Sequence, residues 1–103
     1  MSWRIIYSPE ARQDLRDIYG YIAFSLLQPE TARSQTRRIM EEIDSLNDFP
    51  MRYRTYPGEP WCSAGLRYFN VGNYLVFYLP KEENHTVSVI RIMYGGRDLD
   101  KQL

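Results

Sequence analysis

The sequence predicts an α+β fold in the order β-α-α-β-β-β, with a helical hairpin against one face of a four-stranded sheet. Two observations predict it. Two adjacent segments in the first half carry apolar residues at helical spacing, and the second half alternates short β-branched or aromatic runs with turns. A chain of 103 residues is long enough to bury one such core, so we expect a single domain over residues 1–103.

The first strand and the first helix are predicted between Trp3 and about Ser25. The run Trp3–Tyr7 is short, apolar and rich in aromatic and β-branched residues, which is typical of a strand. The segment Ser8–Glu10 is a helix start, because serine caps free backbone amides, proline suits the first helical position and glutamate complements the helix dipole. The apolar positions that follow at helical spacing are Ala11, Leu15, Ile18 and Ile22.

The second helix is predicted to begin at Gln28–Glu30, which repeats the start signal, and to end before Phe49. Proline at position 50 sets that end, because it disfavours helical geometry in the preceding residue. About three residues join the two helices, so they are expected to be antiparallel neighbours. The buried stripe of the second helix is Ala32, Thr36, Ile39, Ile43 and Leu46.

The second half of the chain predicts a β-meander after an irregular loop. Residues 50–65 are rich in proline and glycine, which is typical of a loop, and its aromatic residues Tyr53, Tyr56 and Trp61 are expected to fold back on the body. The segment Gly72-Asn73 is a hairpin turn, and Pro80–His85 is a longer polar turn. With the helices on one face, the other sheet face is expected to be free for partners. The three predicted strands are Leu66–Val71, Tyr74–Leu79 and Thr86–Tyr94.

The composition excludes several classes of protein. The 13 basic and 13 acidic residues cancel, which argues against a general nucleic-acid binder. Cys62 is the only cysteine and His85 the only histidine, so an internal disulfide and an ordinary Cys/His zinc site are both excluded. No Gly-rich nucleotide cradle is present, and we expect neither metal nor cofactor. Without a long apolar run or a signal-peptide pattern, a cytoplasmic protein with no membrane contact is expected.

Three groups of residues are candidates for catalysis or ion binding, and we interpret each of them as structural. We interpret His85 as a solvated turn residue and not as a general acid or base. Cys62 is interpreted as a small loop or core residue and not as a nucleophile, since a reactive thiolate needs a basic neighbour or a helix N-terminus. Arg33, Arg37 and Arg38 lie beside acids at helical spacing and are expected to form solvated ion pairs.

The arginine in the middle of the last strand, Arg91, has two interpretations. It lies on a solvent-facing half of the sheet or pairs with an acid such as Asp98, or else it joins Arg67 and Arg97 in an anion or partner site. Alternate residues of a strand share a face. One face is therefore predicted to carry Val87, Val89, Arg91 and Met93, and the other Ser88, Ile90, Ile92 and Tyr94.

Five segments of the chain carry a joint pattern: Tyr7–Ala11, Asp14–Ile22, Leu66–Phe69, Gly72–Tyr78 and Val89–Leu99. In this order they resemble the RelE/ParE toxin superfamily of bacterial type II toxin–antitoxin (plasmid stabilisation) modules. The resemblance covers essentially the whole chain. It implies two helices packed on a curved, largely antiparallel sheet. It also implies a cognate antitoxin as partner, with operator DNA contacted only through that antitoxin.

Within this superfamily the sequence is more similar to ParE than to RelE. RelE-like members cut messenger RNA on the ribosome with several basic residues, whereas ParE-like members poison DNA gyrase. In this chain the first meander strand carries only Arg67, Tyr74 stands where RelE has an arginine, and no tyrosine or histidine follows Arg97. The resemblance therefore implies a ParE-like toxin that inhibits growth by poisoning gyrase without being a catalyst itself.

The residues expected to contact partners are Arg67, Arg91, Tyr94, Arg97 and Asp98. One alternative is a RelE-like, ribosome-dependent mRNA endoribonuclease. In that case the first four of these residues would act on the scissile phosphate, with Tyr94 as the acid. A second alternative is an inactive member that only binds its antitoxin.

Overall fold

The structure is a computed structural model and describes residues 2–95. Its strands and helices follow the predicted order, and the α+β class is confirmed. A short helix in the loop was not predicted. The elements are β1 (Arg4–Tyr7), α1 (Pro9–Gly20), α2 (Pro29–Asp44), α3 (Trp61–Ala64), β2 (Arg67–Val71), β3 (Tyr74–Lys81) and β4 (Thr86–Tyr94).

The four strands form one mixed sheet in the order β1-β4-β3-β2. The two pairs within the meander are antiparallel, and the predicted turn at residues 72–73 joins β2 to β3, with Gly72 at a positive φ of 60°. β1 runs parallel to β4 and pairs only with its first half, from Thr86 to Val89. Beyond Val89 the outer edge of β4 faces α1.

The helix start at Ser8 forms as the sequence predicts, and it also ties α1 to the sheet. The Ser8 hydroxyl accepts the backbone N–H of Ala11 at 2.9 Å and donates to the carbonyl oxygen of Ile90 at 2.8 Å. Pro9 occupies the first helical position. After Gly20 the chain continues to Ser25 as a π-helical turn, so the predicted end at about Ser25 includes this wider turn.

Apolar side chains are buried on both faces of the sheet. On one face the helix residues Ile39 and Ile43 pack with strand residues such as Val76 and Val89. On the other face the loop folds back over the sheet and covers part of it. The expectation that the second face is free is therefore wrong for the part that the loop covers. Burial of the large aromatic side chains of the loop is more favourable than their exposure to water. This second cluster contains Tyr56, Leu66, Leu75, Phe77 and Met93, with Trp61 and Tyr68 packed against it.

A β-bulge in β4 overturns the predicted faces of the last strand. Tyr78 pairs with Val89 and Phe77 pairs with Arg91, so Ile90 is an extra residue. One extra residue inverts the alternation beyond it. Ile92 consequently joins Val89 in the core beneath the helices, and Met93 lies in the cluster on the opposite face.

The structural roles predicted for His85, Cys62 and the arginines of α2 are confirmed only in part. His85 ends a polar turn, yet it is half-buried and stacks on the Trp3 ring with centroids 5.0 Å apart, so it is not simply solvated. Cys62 is a free, half-buried residue of α3. Arg33 pairs with Glu30 at 2.5 Å. Arg37 and Arg38 have no carboxylate within 4.0 Å among residues 2–95, so the ion-pair prediction is wrong for them there.

Candidate functional site

An open cleft of about 800 Å³ lies between the helical hairpin and the end of the β3–β4 ribbon. Its lining mixes apolar residues with hydrogen-bonding side chains from both helices, from the strands and from the turn before β3. The apolar lining residues are Ile18, Ile22, Leu26, Ile92 and Met93. The polar lining residues are Asp14, Asp17, Gln28, Thr31, Gln35 and Asn73, together with Tyr21, Tyr74 and Tyr94.

The tyrosine side chains of the cleft come from three elements. Tyr74 and Tyr94 face each other across β3 and β4, with their rings edge to face at 5.9 Å. Tyr21 enters from the π-helical turn and is 57% exposed. Burial raises the pKa of Tyr74, and the nearby hydroxyls of Tyr94 and Tyr21 raise it further. The Tyr74 hydroxyl is therefore protonated near neutral pH and available both to donate and to accept a hydrogen bond.

An ion pair lies at one side of the cleft. The Asp14 carboxylate on α1 receives Arg91 Nε at 2.8 Å and Arg91 Nη2 at 3.0 Å. The same carboxylate accepts the backbone N–H of Ile92 at 2.9 Å, which satisfies an amide on the edge of β4 that β1 does not reach. The hydrogen bond to Asp14 raises the pKa of Arg91. The positive charge of Arg91 is thus compensated by a carboxylate within the chain.

A family model described as ParE toxin of type II toxin-antitoxin system, parDE, matches residues 5–99 of the sequence. The chain belongs to the ParE toxin family. The resemblance to the RelE/ParE superfamily, and within it to ParE, is confirmed. No curated protein matches this ParE-family chain in sequence.

Solved structures share the fold of this ParE-family chain. A chromosomal ParDE system from P. aeruginosa matches with a TM-score of 0.73 at 21% identity, over 90% of this chain and 96% of the other. A mutant of the E. coli toxin RelE in the free state matches at 0.69 and 12% identity, over 99% and 93%. The RelBE2 toxin–antitoxin complex from Mycobacterium tuberculosis matches at 0.63 and 20% identity, over 91% and 99%.

The structure brings only part of the predicted site of the ParE-family chain together. Tyr94 lines the cleft, and Arg91 binds Asp14 beside it. Arg91 therefore pairs with an acid, as one interpretation predicts, but its described partner is on α1. Arg67 lies elsewhere, because β3 separates β2 from β4. Arg97 and Asp98 lie outside the described residues.

Arg67 has a different set of partners from the one predicted. Its Nη1 donates to the carbonyl oxygen of Tyr53 at 2.5 Å and to that of Met51 at 3.2 Å. The guanidinium thus holds the segment that follows α2 against the edge of the sheet. In this position Arg67 is a support for the chain after α2 and not a neighbour of Arg91.

Sequence reasoning missed the helical side of the cleft of this ParE-family protein. Gln35 contributes an amide nitrogen, Nε2, that is buried and has no hydrogen-bond partner within the described residues. Leu26, at the end of the π-helical turn, is 50% exposed. An available signal was the pair of large side chains near the end of the first helical pattern, Tyr21 and Leu26.

Residues 2–95 contain no group of three His, Cys, Asp or Glu side chains placed to hold a metal ion. Across the described part of the chain, no helix is long and apolar enough to cross a membrane.

Proposed function

We propose that this ParE-family chain is the toxin of a type II toxin–antitoxin module and that its cleft binds a segment of the cognate antitoxin. The observation that carries the toxin role is the family match over residues 5–99. The fold is also that of chains from ParDE and RelBE toxin–antitoxin systems of other organisms. A ParE-like toxin acts on a cytoplasmic target, so we place its action in the cytoplasm.

The cleft has the properties expected of a peptide-binding site. The cleft exposes the aromatic ring of Tyr21 and the apolar side chain of Leu26, which are half or more accessible to solvent. Burying such surface against a partner is favourable by roughly 25 cal/mol per Å². The Nε2 of Gln35 is a donor without an acceptor in the described chain and is shielded from solvent, so it can pair with a partner's oxygen only when its side chain rotates into the cleft. An amphipathic segment that brings apolar side chains and one oxygen acceptor satisfies both features.

DNA gyrase is the proposed target, and the toxin is proposed to inhibit it without performing catalysis. The arrangement of two arginines supports this choice over RNA cleavage. A phosphate site needs several cations that converge on one point. Here Arg91 is neutralised by Asp14, and Arg67 binds two backbone carbonyls on the other side of β3.

The test is a plasmid supercoiling and cleavage assay with purified gyrase, ATP and the purified chain. Loss of supercoiling, or DNA cleaved and trapped with gyrase, is the expected result. Programmed ribosomes carrying a defined mRNA are treated with the same preparation in parallel. Cleavage of that mRNA with no effect on gyrase at large excess would replace the gyrase proposal with the endoribonuclease alternative.

A further inference from the structure

Phe49 combines two features that the fold itself does not favour. Its backbone is left-handed, with φ 58° and ψ 60°, a region that bulky residues rarely adopt. Its side chain is 73% exposed and contributes little to either core. Strained residues of this kind persist where the surrounding structure holds them, and they cluster at functional sites.

The chain around Phe49 is held firmly. Pro50 is buried, and its carbonyl oxygen accepts the hydroxyl of the fully buried Tyr78 at 2.7 Å. The next carbonyl, that of Met51, accepts Arg67 Nη1 at 3.2 Å. The Phe49 ring is therefore presented on a rigid support, and little conformational entropy is lost when a partner binds it.

We call residues 49–52 the Phe49 ridge. It borders an open depression that is lined, besides the ridge itself, by Trp3 and Asp48. Aromatic residues, methionine and arginine are the residue types enriched in protein–protein interfaces, and large aromatic side chains are frequent hot spots. The composition of the ridge thus fits a protein partner.

The charges beside the ridge indicate the sign of that partner. Arg52 is exposed and lines the depression, and the Arg67 guanidinium lies behind it on the Met51 and Tyr53 carbonyls. Across residues 2–95, neither of these two arginines has a carboxylate within 4.0 Å. The carboxylate of Asp48 is the acidic group in the lining of the depression. The excess of guanidinium groups favours an acidic partner surface.

The ridge and the cleft lie at opposite ends of α2. The cleft includes Leu26 and Gln28, just before this helix, and the ridge begins after the turn that follows it. The 16 residues of α2 span about 24 Å. A segment that occupies only the end of the cleft near Leu26 thus does not reach the ridge.

We infer that the Phe49 ridge docks the target protein of the toxin, with the Phe49 ring in an apolar pocket of an acidic surface. The inference rests on the toxin role proposed above, and it assigns the target and the antitoxin to separate surfaces. Arg67 takes part by holding the ridge in position. Arg52 supplies charge at its rim.

The decisive variants are Phe49→Gly and Phe49→Asn, because glycine and asparagine both tolerate a left-handed backbone. A matched control is Leu27→Gly, since Leu27 also has a positive φ of 56° and is 79% exposed. All three variants are expected to fold and to melt near the wild-type temperature. Binding to immobilised gyrase holoenzyme is expected to weaken about 10-fold or more in the Phe49 variants. Leu27→Gly is expected to bind within about twofold of the wild type, as surface residues away from a hot spot do.

Wild-type-like gyrase binding by both Phe49 variants would overturn the inference. If the wild type binds an RNA or DNA oligonucleotide and only that binding is lost in the variants, the partner is a nucleic acid and the inference is also wrong.

The wild type itself tests the proposed function. If it arrests growth but ignores gyrase, the gyrase target fails. Growth arrest by Phe49→Gly at equal soluble level then decides the ridge, and retained arrest overturns it. If the wild type does not arrest growth, the toxin role and the inference both fall.

Discussion

Asp14 on α1 and Arg91 on β4 form a two-point ion pair between positions 77 residues apart in the sequence. The Asp14 side chain is 12% exposed and that of Arg91 is 25% exposed. Because the same carboxylate also accepts the Ile92 amide, Asp14 fastens the helical hairpin to the part of β4 that β1 does not cover.

Replacing Asp14 by asparagine should destabilise the fold by about 1–3 kcal/mol, because a partly buried guanidinium loses its counter-charge. The measurement is the urea midpoint of unfolding. Glu30→Gln is the control, because the Glu30–Arg33 pair is largely exposed and such pairs contribute about 0–1 kcal/mol. Equal losses in the two variants would contradict the structural role given to Asp14.

Alkaline pH should destabilise the protein through its buried tyrosines. Burial raises the pKa of Tyr78 to about 12 from the ordinary value of 10.0, and burial with the nearby Asp44 raises that of Tyr7 to about 12. Between these values the unfolded state loses the proton first. Stability is therefore full below about pH 10 and falls as the pH rises toward 12, by at most about 1.4 kcal/mol per pH unit for each tyrosine.

Tyr78→Phe tests this dependence. At neutral pH the variant should lose about 1 kcal/mol, because the hydrogen bond to the Pro50 carbonyl is missing. Between pH 10 and 11.5 its urea midpoint should fall less steeply than that of the wild type. Tyr7→Phe should show the same flattening, and the double variant more of it. Parallel slopes in all four proteins would show that these hydroxyls do not carry the alkaline loss.

A charge in the cleft should weaken antitoxin binding and leave the fold intact. Leu26 is 50% exposed and lines the cleft, so Leu26→Glu opposes burial of that wall with little cost to the free toxin. We expect the affinity for the cognate antitoxin to fall about 10-fold or more. Met40→Glu, at a residue that is 40% exposed and not part of the cleft lining, should change the affinity by less than about twofold. The measurement is titration calorimetry, and equal effects of the two substitutions would argue against the cleft.

Gln35→Met should separate stability from binding. Methionine has a similar length and leaves no unpaired donor, so the free energy of unfolding should rise by about 1 kcal/mol. Antitoxin affinity should fall in the same variant, since the donor that awaits an acceptor is gone. A stability loss, or an unchanged affinity, would show that Nε2 is not a reserved binding group.

The element order could be predicted because its signals are local. The Ser8 hydroxyl caps a helix that starts at the next residue, and Gly72 supplies the positive φ that the following turn requires. The buried stripe of α2 was predicted equally well, since Ile39 and Ile43 are both fully buried. Each of these features depends on residues fewer than five positions apart.

The candidate sites could not be predicted from local sequence, because they depend on contacts between segments that are distant in the chain. The choice of Asp14 as the partner of Arg91 follows from the docking of α1 on β4. The bulge at Ile90 sends Ile92 and Met93 to faces opposite to those that alternation predicts. The sequence predicts that the second helix ends before Phe49, but the exposed, left-handed position of Phe49 is set by Pro50 and Met51, whose carbonyls accept Tyr78 and Arg67. The amino-acid order thus determined which elements form and in what sequence, and tertiary packing decided which side chains meet, because burial and pairing act across the whole chain.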